Sequence, residues 1–76
     1  MYEISQHLDC DPSETKARLR SLTAIARMLL GPKNMIVQLA REAEDSGQYA
    51  ELNALVRALP SIPYRRLLAT WAETFR

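Results

Sequence analysis

The sequence predicts an all-α protein, a compact bundle of four main short helices with a shorter helix at the N-terminus. Three observations lead there. Helix start and stop signals follow one another in order: Asp11-Pro12-Ser13-Glu14 opens a helix and Gly31-Pro32 closes it. Ser46-Gly47 then separates the next pair, and Pro60-Ser61-Ile62-Pro63 introduces the last. Between these signals apolar residues recur at three- and four-residue intervals, the spacing of one helix face. The composition is 47% hydrophobic and 25% charged with only 2 glycines, which is that of an ordered globule and not of a disordered tail. With 76 residues the chain has room for one domain, residues 1–76, which buries a modest share of its unfolded surface.

The first main helix starts at Asp11, whose carboxylate suits an N-cap, with Pro12 at the first helical position and Glu14 at the capping-box position. Thr15, Leu19, Leu22, Ala26 and Leu29, with Ile25 and Leu30 beside them, give it one apolar stripe. From Pro12 to Leu30 it spans roughly 28 Å. Gly31 supplies the C-terminal turn and Pro32 prevents continuation. The second helix is expected from about Asn34 to Asp45, burying Met35, Ile36, Leu39, Ala40 and Ala43. Glu42, Glu44 and Asp45 crowd its C-terminus, where the helix dipole disfavours anions by a few tenths of a kcal/mol each. After Gly47, Tyr49, Leu52, Leu55, Val56 and Leu59 carry the period on to Pro60, through a connection short enough for a helical hairpin. Ser61 is the expected cap of the last helix, whose apolar side holds Tyr64, Leu67, Leu68, Trp71 and Phe75. Trp71 and Phe75, near the chain end, require a partner surface, either the internal core or a second copy in a homodimer.

Charge and cysteine content exclude several classes. The formal net charge of +1 gives no overall polyelectrolyte character, so nucleic-acid binding would depend on local clusters. Cys10 is the single cysteine and forms no internal disulfide, which together with the absence of a leader-like N-terminus suggests an intracellular, cytoplasmic protein. No apolar run approaches the roughly 20 residues of a membrane span. His7 and Cys10 are three apart, but a zinc site needs three or four soft ligands and there is no second His or Cys, so no metal or other cofactor is expected. A domain this small rarely holds a dry concave pocket for general acid–base work, and the chain is read as a non-enzyme.

Residues 2–22 carry the one familiar pattern. Ile4, Ser5 and Leu8 stand as apolar, small and apolar residues, Cys10 stands in the turn, and Thr15 and Leu19 follow at inward positions of the next helix. This segment resembles the helix-turn-helix of bacterial transcription regulators. It departs from that pattern at Asp9, where the turn glycine usually stands, and at Thr15, usually a β-branched apolar residue. The resemblance implies DNA binding through Lys16, Arg18, Arg20 and Arg27, which face Glu14 as the only acid between Pro12 and Leu30.

The alternative to DNA is protein, and it is the preferred reading. Arg57, Arg65, Arg66 and Arg76 lie around the last two helices, interleaved with Tyr64 and Trp71, and arginine with aromatics is the composition of protein-interface hot spots. The expected function is that of a small regulatory adaptor or inhibitor that lays a helix face on another protein. Tyr64, Arg65, Arg66, Trp71 and Phe75 are its candidate contact residues.

Overall fold

In the computed structural model, which describes residues 4–75, the elements are α1 (Ile4–Leu8), α2 (Pro12–Leu30), α3 (Met35–Ser46), α4 (Ala50–Arg57) and α5 (Ser61–Glu73). There is no strand among the described residues, so the all-α bundle read from the punctuation is the fold that forms.

The helix ends show how far the punctuation reached. Pro12 opens α2 as expected, but the Asp11 carboxylate accepts from the Ser13 hydroxyl and not from a backbone amide. Asp11 contributes its carbonyl instead, which accepts from the Thr15 N–H at 2.8 Å. Glu14 reaches forward to Arg18 at 3.7 Å, where a full charge one turn on competes with the backbone donor behind it. Asn34 caps α3 through Oδ1, which accepts from the Ile36 N–H at 2.9 Å. Gly47 ends α3 in the left-handed region, with φ 76° and ψ 4°, and its N–H donates to the Ala43 carbonyl at 2.8 Å. At α5 the cap position falls on Pro60, and Ser61 is already helical with no capping bond from its side chain. Proline fixes φ, the Pro60 carbonyl accepts from the Tyr64 N–H at 3.0 Å, and Pro63 fits in the first turn, where a helix needs no internal donor.

α2 and α3 form the most extensive helix pair; α5 lies against α2, α4 against α3, and α1 touches α2 and α4. The core takes Leu19, Leu22 and Ala26 from α2 and Ile36, Val37, Ala40 and Ala43 from α3. Leu52, Val56, Leu67, Trp71, Ile4 and Leu8 complete it from the other three helices. Alanines at Ala26, Ala40 and Ala43 keep the side chains at these contacts short, and interaxial distance follows side-chain size. Met35 was expected inside, yet it is 55% exposed, and Val37 is buried in its stead. Positions 36, 37, 40 and 43 share one face of α3, which packs inward, and position 35 falls outside it.

Candidate functional site

The four basic residues expected on α2 do not form one surface. Lys16, Arg20 and Arg27 are exposed and share one stripe, being four and seven residues apart. Arg18 turns away from it. Its side chain is only 21% exposed, its Nη1 donates to the His7 carbonyl, and its guanidinium lies 4.3 Å from the Phe75 ring centroid. Arg18 Nε is buried with no hydrogen-bond partner among the described residues. The side chain thus serves the interior, where it satisfies a C-terminal carbonyl of α1 and covers an aromatic ring of the chain end. Its place as a phosphate or base contact is corrected accordingly: position 18 lies on the flank of α2 that meets α1, and the long arginine stem folds inward there.

Acid also meets the exposed stripe. Arg20 Nε stands 3.5 Å from Glu44 Oε1, and Glu44 Oε2 accepts from the Thr23 hydroxyl at 2.9 Å. Lys16 shares a hollow of about 490 Å³ with Asp9, Glu44 and Asp45. The crowded acids at the end of α3 thereby gain a counter-charge from α2, and part of the local basicity of α2 is neutralised within the fold.

The protein-contact candidates also divide. Trp71 is fully buried, donating from Nε1 to the Arg18 carbonyl at 2.8 Å, and its ring meets His7 and Phe75 at centroid distances of 5.5 and 5.0 Å. It belongs to the core and offers nothing to a partner, because an indole at the inward position of α5 fills the space between α1 and α2. Phe75 is half-buried in the same stack, 5.3 Å from His7. Tyr64 is half-buried against the core, while Arg65 and Arg66 are exposed and form no ion pair among the described residues. Arg76 lies outside the described residues, as do Tyr2 and Glu3 of the resembling segment.

Ile62 was not among the expected contact residues. It is 74% exposed, and with Arg65, Arg66 and Ala69 it forms one stripe on α5 opposite the buried Leu67 and Trp71. The spacing was legible, since 62, 65, 66 and 69 are the complement of 64, 67, 68 and 71; the strong pull of Trp71 and Phe75 as large aromatics obscured it. Among the described residues Met28, at 74% exposure, and Met35 are the other large apolar side chains more than half exposed.

The turn between α1 and α2 has its own polar arrangement. Thr15 Oγ1 donates to the Leu8 carbonyl at 2.8 Å, and Cys10 Sγ lies 3.3 Å from the same oxygen. With the hydroxyl proton engaged by Leu8, the thiol proton has the Thr15 oxygen and the Leu8 and His7 carbonyls as acceptors. Thr15 is therefore buried where the resembling family places an apolar residue, its polar atom satisfied by the end of α1. Ile4, Leu8 and Leu19 are buried at the inward positions the resemblance implies, but α1 is a single turn and a half of five residues. Among the described residues no group of three or more His, Cys, Asp or Glu side chains is placed to hold a metal ion, and no helix is long and apolar enough to cross a membrane.

In comparisons with known proteins, no family model, no curated protein and no solved structure matches the chain. Fold and surface define a small all-α bundle with two distinct basic helix faces, one on α2 partly neutralised by α3 and one on α5 left open.

Proposed function

We propose that this protein acts without chemistry of its own, as an adaptor or inhibitor that binds another protein in the cytoplasm through the outer face of α5. The observation that carries the reading is the stripe Ile62, Arg65, Arg66: an apolar side chain 74% exposed, with two exposed guanidinium groups one turn further on that form no ion pair among the described residues. An isoleucine so exposed forgoes about 1.5 to 3 kcal/mol of burial, which a partner surface recovers. Arginine beside an apolar anchor suits an acidic, apolar groove, where the anchor is desolvated and the guanidinium groups find carboxylates. The single thiol of Cys10 is in keeping with a reducing compartment.

Nucleic acid is the second reading, carried by the exposed stripe Lys16, Arg20, Arg27 on α2. It is the weaker one, because Arg18 is spent inside the fold and Arg20 faces Glu44. Tagged protein captured from lysate with and without nuclease separates the two. A stoichiometric protein that survives nuclease supports the α5 reading, and material that disappears with nuclease supports the α2 reading.

A further inference from the structure

The junction of α3 and α4 contains a hollow of about 400 Å³ with Leu39 and Leu52 among its lining and Glu42 and Glu51 beside them. Residues 42–51 carry Glu42, Glu44, Asp45 and Glu51 with no basic residue among them, so the segment is locally acidic. Glu44 is engaged by Arg20 and Thr23, whereas Glu42, Asp45 and Glu51 are exposed and form no ion pair among the described residues. The C-terminal end of α3 adds the negative end of its dipole to the same place. No residue of α5 lines the hollow, and α5 is held against α2. The chain therefore carries two surfaces of opposite character on different helices: a hollow edged by Glu42 and Glu51 with the half-buried Leu39 in its wall, and an isoleucine followed by two arginines.

We infer that the α3–α4 hollow receives the first turns of α5 from a second copy of the chain. Ile62 enters beside Leu39, and Arg65 and Arg66 meet Glu42 and Glu51. Charge complementarity selects this occupant: the α5 stripe sets an exposed branched apolar side chain beside two exposed cations that form no ion pair among the described residues. The contact joins unlike surfaces, so each copy gives one face and receives on the other. The same α5 face is then shared between self-association and any outside partner, and such a partner would dissociate the assembly as it binds. The self-contact does not require an outside partner to exist.

The test is sedimentation of the intact chain from about 10 µM to about 1 mM at low salt. The average mass rises with concentration, and the rise weakens when ionic strength goes from about 0.01 to about 0.15 M, which shortens the Debye length from about 30 to about 8 Å. Two charge-reversed variants, R65E/R66E and E42R/E51R, each lose association by about tenfold or more, and an equimolar mixture of the two recovers it. All four positions are exposed, and helical circular dichroism at wild-type intensity checks that each variant is folded. A chain that stays monomeric throughout overturns the inference, as does association indifferent to both reversals or a mixture that fails to recover. Only R65E/R66E touches the α5 face used for an outside partner; loss of self-association in E42R/E51R with capture of that partner intact separates the two readings.

Discussion

Replacing Arg18 with alanine should cost far more stability than replacing any other basic residue of α2. Three interactions go with the side chain. The Nη1 bond to the His7 carbonyl is charge-assisted and largely shielded from water, and bonds of that kind contribute about 1.5 to 3 kcal/mol. The guanidinium over Phe75 at 4.3 Å adds about 0.5 to 1 kcal/mol, and the Glu14 pair, with its carboxylate 57% exposed, a few tenths. Against these, the variant removes the buried, unpartnered Nε, which returns about 1 kcal/mol. The net loss is about 2 kcal/mol, or about 10 °C in Tm for a domain of this size. Urea and thermal unfolding followed by circular dichroism measure it, with Arg27→Ala as the control. Arg18→Lys keeps the charge but not the planar stack or the fork, and should fall between the two. If Arg18→Ala unfolds within about 0.5 kcal/mol of Arg27→Ala, the side chain is solvated and the assignment to the interior is wrong.

Other positions give independent checks. Trp71 emission should be blue-shifted and resist a soluble quencher, as its complete burial requires; red-shifted, readily quenched emission would put the indole outside the core. Thr15→Val keeps the shape but removes the donor to the Leu8 carbonyl and the hydroxyl oxygen beside Cys10 Sγ, for a loss of about 1 to 2 kcal/mol in urea unfolding. Gly47→Ala should cost about 1 kcal/mol from backbone conformation alone, because φ is +76° while an added Cβ meets nothing within 4 Å. A neutral or stabilising effect in the same assay would mean that α3 ends differently.

What was legible in the sequence follows the physics of each signal. Helix limits were readable because Pro12, Gly31, Gly47 and Pro60 act locally, through φ restrictions and missing donors that need no tertiary context. The period gave Leu19, Leu22, Leu52, Val56 and Leu67 as core for the same reason. Charge placement was not legible. Arg18 lies on the flank of its helix, and only the position of α1 and the chain end decides whether it folds inward or reaches into solvent. The acids ending α3 looked like an uncompensated dipole penalty until α2 brought Arg20 to Glu44, a partner 24 positions away in the chain. Trp71 drew the functional reading because large aromatics serve cores and interfaces alike, and composition cannot distinguish the two. The open face of α5 was implicit in the complement of its apolar stripe, and Ile62 was the residue to notice there.

The central claim is that the α5 face, and not the α2 face, makes the functional contact. Its most direct test is nuclease-treated capture from lysate with three baits: the wild-type chain, I62D/R65E, and K16E/R27E. The substituted positions are all exposed, so the baits should share the wild-type fold. Wild type and K16E/R27E should retain a stoichiometric protein partner that is lost with I62D/R65E. Retention by I62D/R65E together with loss in K16E/R27E would contradict it and move the functional surface to α2.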